Sequence, residues 1–165
     1  MITQAVLDRM NEQIMHELYS AYFYLSMSAY FESENLPGFA TWMRIQATEE
    51  QEHAMKFYNY ILDRGGKVVL QAISQPPVDF ASPQDIFKQT YEHEQKVTAL
   101  INNIYNVATA EKDVASQIFL QWFINEQVEE EKNASQILDT LTKISSSVGG
   151  LYQLDHLLGK RGSED

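Results

Sequence analysis

The sequence predicts an all-α fold: a four-helix bundle with one long crossover loop and a short fifth helix at the C-terminal end. Three observations predict it. Apolar residues recur every three to four positions over four long stretches, the repeat of a helix face buried against neighbours. Glycine and proline are scarce, seven and four in 165 residues, which disfavours a turn-rich β architecture. One connection between helices is far longer than the others, and its reach matches the length of a helix. The chain length suits a single domain, 1–165, and 44% hydrophobic with 12% aromatic residues supply its core.

The first helix is predicted over about 3–33, with Met10, Ile14, Ala21, Tyr24 and Met27 at helical spacing. Asn35-Leu36-Pro37-Gly38 makes a turn, and the second helix runs over about 37–64 until Gly65-Gly66 stops it. Ser82-Pro83-Gln84-Asp85 starts the third helix, about 83–111, with Ser82 as N-cap and Pro83 in the first helical position. The fourth spans about 113–144. Ser145 to Gly150 breaks it, a short fifth helix covers about 151–158, and the tail GKRGSED is expected to be mobile. Short links make the first and second helices one antiparallel hairpin, and the third and fourth another. The crossover, 65–82, is different. Its roughly 16 residues between Gly66 and Ala81 can extend ~55 Å, whereas the second helix is ~42 Å long. The loop can therefore run the length of the bundle.

Four glutamates interrupt the apolar stripes. Glu17 falls between Ile14 and Ala21, in line with Tyr24; Glu50 lies in the row Met43, Ala47, Ala54, Phe57, Ile61. Glu94 shares a row with Phe87, Thr98, Ile101 and Tyr105, and Glu130 with Phe123, Ala134, Ile137 and Leu141. Each sits near the middle of its helix, so the four should meet at one level. A buried, unpaired charge costs several kcal/mol, while a domain is stable by only ~5–15 kcal/mol. No four lysines or arginines share these rows. Shared protons or bound cations remain as partners.

Spacing favours cations. Glu50 and His53 form Glu-x-x-His, which puts both side chains on one face. Gln127 and Glu130 repeat the spacing on the fourth helix with a different residue type. A glutamate from each of two helices plus such units on the other two is a di-iron pattern. Four carboxylates balance two Fe²⁺, and hard oxygen ligands favour the ferric state. Such a site should bind Fe²⁺, react with dioxygen and hold a bridged ferric pair.

A second acidic group, Glu49, Glu126 and Glu129 beside Glu130, reads either as a further cation site or as a solvated acidic face. His16 and His93 neighbour proposed ligands but point ~100° away, so surface or supporting roles are expected. Tyr24 has three readings: hydrogen-bond partner of the site, redox-active phenol, or core packing. Trp122 is expected in the core, and His156 is expected to be structural or exposed.

The runs NEQIMHELYSAYFYLSMSAYF, EEQEHAMKF, YEHEQ and FLQWFINEQVEEE resemble prokaryotic non-haem ferritins, over essentially the whole chain from Asn11 to Leu158. The resemblance implies a ferritin-like fold and a ferroxidase that stores Fe(III) mineral after oxidising Fe(II) with dioxygen or hydrogen peroxide. It implies Glu17, Glu50 and His53 for the first iron, and Glu50, Glu94 and Glu130 for the second, with Gln127 close by. The family's third iron position falls on Glu49, Glu126, Glu129 and Glu130. A hollow cage of 24 copies is implied, with the fifth helix near its fourfold axes. Bacterioferritins instead carry Glu-x-x-His on the fourth helix and a haem-ligating methionine where this chain has Gln51; no haem is expected.

The remaining properties narrow the alternatives. A net charge of −11 argues against a nucleic-acid partner and suits attraction of cations. Cysteine is absent, which excludes thiolate metal sites, including that of a rubrerythrin-type peroxidase, and agrees with a cytoplasmic location. No basic segment followed by an apolar run begins the chain, and no apolar run suits a membrane span. A purely structural helical bundle would carry apolar residues at the four glutamate positions.

Overall fold

The computed structural model describes residues 1–162. Among these residues five helices follow in order: α1 (Gln4–Ser33), α2 (Pro37–Asp63), α3 (Pro83–Ala110), α4 (Val114–Ile144) and α5 (Val148–Leu158). Among the described residues there is no strand. None of the helices among the described residues is long and apolar enough to cross a membrane.

Three of the helices end in the same way. The N–H groups of Leu36, Gly66 and Asp113 donate to the carbonyls of Phe31, Ile61 and Ala108, at 2.9, 2.8 and 2.9 Å. The residue before each donor is left-handed: Asn35, Gly65 and Lys112. This closure satisfies the last free carbonyls and turns the chain sharply. It makes α1 with α2, and α3 with α4, the two antiparallel hairpins, and α1 then packs on α3. Ser82 caps α3, its Oγ accepting from Asp85 N at 3.1 Å. Asp113 caps α4 through Ser116 N at 3.2 Å, and Arg64 at the end of α2 donates to the same carboxylate.

The crossover runs along α1. Asn11 holds its beginning, donating to Lys67 O and accepting from Val69 N, at 3.1 and 2.7 Å. Ser26 holds its far end, donating to Pro77 O at 2.5 Å. These anchors are about 22 Å apart at ~1.5 Å per residue.

The core is divided. One apolar cluster gathers Phe23, Met27, Phe31, Phe39, Met43 and Phe87 with others around them. The second gathers Met10, Ile14, Phe57, Ile61, Ile101 and Phe123. Along every long helix the switch between clusters occurs at the glutamate level: between Ile14 and Phe23, Ala47 and Ala54, Phe87 and Val97, and Phe123 and Leu141.

The fifth helix starts at Val148, three residues before the Leu151 read from the sequence. Ser147 explains the difference: its Oγ accepts from Gly150 N at 3.1 Å, which caps a first turn built from Val148, Gly149 and Gly150. With that cap in place, Gly149 and Gly150 fall within the helix. The tail expected to be mobile passes over α2, where Arg161 meets Gln46 and Glu49; its residues 163–165 lie outside the described residues.

α5 docks on the start of α2. Leu36 offers no side-chain cap there, and Asp155 of α5 supplies one, accepting from Phe39 N at 2.9 Å. The approach needs glycine. A Cβ on Gly38 would lie 1.7 Å from the Asp155 carbonyl oxygen. We therefore expect Gly38→Ala to push α5 off α2 and to destabilise the protein by ~1–3 kcal/mol, the usual range for overpacking. Thermal denaturation followed by circular dichroism checks this; an unchanged midpoint contradicts it.

Candidate metal centre

Between the two apolar clusters lies a polar layer to which each long helix contributes. Glu17 comes from α1, Glu50 and His53 from α2, Glu94 from α3, and Gln127 and Glu130 from α4; all are buried. Glu17, Glu50 and His53 each present a ligand atom within 4.8 Å of the others. His53 Nδ1 lies 3.3 Å from Glu50 Oε2. The Glu-x-x-His spacing accounts for this pair, and the helix packing brings in Glu17.

Neutral donors hold the carboxylates in place. Gln13, one turn before Glu17, donates to its Oε1 at 3.0 Å. Gln46, one turn before Glu50, reaches across the bundle to Glu130 Oε2 at 2.6 Å. Gln127 Nε2 donates to Glu94 Oε2 at 3.0 Å, and the Tyr24 hydroxyl donates to Glu94 Oε1. No lysine or arginine is buried among the described residues. The layer therefore holds four acids and no cationic partner of fixed charge.

Electrostatics follow from that composition. Burial raises Glu17 well above the ordinary carboxyl value, and the Glu50 charge adds to it. Burial raises Glu50 well above it too, followed by Glu94 and Glu130. Glu94 is pushed up to about 7 by burial, against the hydrogen bonds from Tyr24 and Gln127. Glu130 is pushed up to about 8 by burial and by Glu94. Burial raises the Tyr24 hydroxyl as well, with Glu94 next, so it stays a neutral donor.

These features fit a bound cation. Glu17 Oε2 is buried with no donor to accept from. Without metal, a proton shared with Glu50 would satisfy it. A divalent cation would replace that proton and offset the remaining charge. Two carboxylates and an imidazole suit Fe²⁺ or Zn²⁺.

Other sequence expectations divide. Tyr24 is placed as a hydrogen-bond partner of Glu94. Gln127 donates to the same carboxylate from the position where a second histidine is lacking. Glu49, Glu126, Glu129 and Glu130 do not assemble into one group. Glu49 pairs with Arg161 at 2.5 Å, Glu126 Oε1 is 3.9 Å from His53 Nε2, Glu130 faces Gln46, and Glu129 is exposed. His93 bonds Ser20 Oγ at 2.7 Å and packs edge-on against Tyr24, one step from Glu94. His16 is half-buried and His156 exposed.

Trp122 is not in the core: it is 41% exposed. It precedes Phe123, which takes the inward position, and a step of ~100° leaves the indole at the rim. There it meets His53 edge-on at 5.4 Å, with Lys56 Nζ 4.3 Å from its ring centre. Sequence reasoning missed Gln13, Gln46 and Arg161. The two glutamines left a signal, since each sits one turn before a proposed ligand on a buried row. Arg161 left none, because its contact depends on where α5 docks.

The raised carboxyl values set a pH dependence. A carboxyl that holds its proton more tightly when folded stabilises the fold fully below its ordinary value of 4.5. That stability is lost as pH rises through about 7 for Glu94 and about 8 for Glu130. The metal-free protein should thus melt at progressively lower temperature between pH 5 and pH 8, and bound Zn²⁺ should flatten the slope. Scanning calorimetry in a chelating buffer checks this; a midpoint rising with pH would contradict it.

Comparison with known proteins agrees with this architecture. The family model for the ferritin-like domain matches residues 7–144. A bacterial non-heme ferritin of Bacteroides fragilis is 40% identical, covering 98% of this chain and 100% of that protein. One from Staphylococcus aureus is 39% identical, over 98% of this chain and 97% of its own. Among solved structures, an open-pore ferritin from the archaeon Archaeoglobus fulgidus superposes with a TM-score of 0.96 at 44% identity, covering 96% of this chain and 98% of that one. A closed form engineered from the same ferritin gives 0.95 at 44% identity, over 96% and 97%. With its helix order, its split core and its buried Glu–Glu–His group, the chain belongs to the ferritin family.

Proposed function

We propose that the protein stores iron, and that its buried carboxylates form a ferroxidase centre for two Fe²⁺ ions, which are its substrate. The observation that carries this reading is the Glu17–Glu50–His53 group, buried without a cationic side chain and with a carboxylate oxygen lacking a donor. Family membership supports iron as the metal.

In this reading Glu17, Glu50 and His53 hold the first Fe²⁺, and Glu50, Glu94 and Glu130 the second, with Glu50 between them. Tyr24 and Gln127 keep Glu94 turned inward, and Gln46 does the same for Glu130. Binding displaces the protons that the buried carboxyls hold. Two electrons from the iron pair and two protons then reduce dioxygen to hydrogen peroxide, or peroxide to water. Ferric iron leaves past Glu130 towards Glu49, Glu126 and Glu129 and is stored as mineral inside a cage of 24 copies. No haem takes part.

Glu17→Ala and Glu130→Ala should each slow oxidation of the first two Fe²⁺ per subunit by ~100-fold or more, the scale already reached when a metal site loses an outer partner. The fold should persist, because removing one buried acid relieves repulsion in the metal-free protein. Stopped-flow absorbance on mixing Fe²⁺ with air is the measurement. Fast oxidation in both variants would remove the proposed centre.

The two halves should also fill unequally. Imidazole favours Fe²⁺, and the half beside His53 has the only one. Crystals given less than one Fe²⁺ per subunit without oxygen should show anomalous density next to His53. Density appearing first between Glu94 and Glu130 would reverse the order.

A further inference from the structure

Arg161 brings a fixed cation close to the acid layer from outside it. It follows α5, and the docking of that helix returns the chain over α2. Gly159 approaches Gly38 so closely that a Cβ on it would lie 3.2 Å from the Gly38 Cα. The Arg161 guanidinium lies over the Trp42 ring, 4.6 Å from its centre. Nη2 is 2.5 Å from Glu49 Oε2, and Nη1 is 2.9 Å from Gln46 Oε1. Trp42, Gln46, Glu49 and His53 recur at helical spacing along one face of α2. The guanidinium therefore lies on the face that leads to the centre.

Its chemistry fixes more than it touches. A guanidinium has five donors and no acceptor. With Arg161 on its oxygen, Gln46 must turn its amide nitrogen the other way, and that nitrogen donates to Glu130 Oε2 at 2.6 Å. Arg161 thus neutralises Glu49 directly and orients Glu130 through Gln46. Both carboxylates border the exit route proposed above.

We propose that Arg161 is a positioning residue of the metal centre: a tethered cation that occupies Glu49, locks the Gln46 amide towards Glu130, and must be displaced before a further metal ion binds there. This rests on the reading of the acid layer as a metal centre. The guanidinium is partly exposed, so its ion pair with Glu49 is screened and reversible. It can yield to a multivalent ion without unfolding the centre. Arg161 enters from the tail, so its hold depends on α5 staying docked.

Anaerobic calorimetric titration of the assembled protein with Zn²⁺, which is redox-inert, tests the idea with Arg161→Ala and Arg161→Lys. The tight Zn²⁺ beside His53 is the reference. Zn²⁺ binding beyond two ions per subunit should be on the order of tenfold tighter in Arg161→Ala than in the unaltered protein. Arg161→Lys, which keeps the charge and loses the planar fork, should fall between them. Zn²⁺-soaked crystals of Arg161→Ala should show the added ion between Glu49 and Glu130. If Arg161 only anchors the tail, Arg161→Ala will melt at lower temperature while later Zn²⁺ binds equally or more weakly; that result overturns the proposal. Absence of tight Zn²⁺ in the unaltered protein would instead overturn the reading of the centre, so the two failures are distinguishable.

Discussion

Four acids buried across one level of a helix bundle are the constraint around which this protein is organised. Each acid alone would cost several kcal/mol if left charged and unpaired, against a total stability of ~5–15 kcal/mol. The protein meets that cost with neutral donors and retained protons, and not with salt bridges: Gln13, Gln46, Gln127 and Tyr24 each donate to a carboxylate. Lysines would have neutralised the layer and also blocked it. Amides and a phenol orient the oxygens while leaving the charge for a cation.

The rest of the fold serves that alignment. Sharp, hydrogen-bonded helix ends keep each hairpin in register, so that mid-helix residues of α1 and α2, and of α3 and α4, arrive at equal depth. The crossover is held at both ends to α1, which fixes one hairpin relative to the other. Arg64 joins the end of α2 to the capping carboxylate of α4. Asp155 caps α2 from α5. Polar contacts at the ends of the helices set the register that the centre requires.

Much of this was legible in the sequence because periodicity and capping are local. Glutamates on apolar rows announced their burial, and Glu-x-x-His announced that Glu50 and His53 would meet. Ser82 and Gly65-Gly66 marked helix ends for the same reason. Contacts that depend on how elements dock were not legible. Ser147 extended α5 through two glycines that read as breakers. Trp122 looked like core from its composition, yet a single residue's rotation placed it at the rim. Gln46 lies one turn from Glu50 but serves Glu130 on another helix, a partner that no spacing along one chain segment reveals. Arg161 could be placed only once the return path of the tail was known.

The division of the hydrophobic interior has a consequence for how this chain can change. The two clusters share no side chain, and the acid layer lies between them. A bulkier or smaller residue in one cluster has no direct packing contact through which to disturb the other. Each end of the bundle can therefore drift in sequence on its own terms. A change in packing at the end that carries α5 need not repack the opposite end, because the acid layer stands between them.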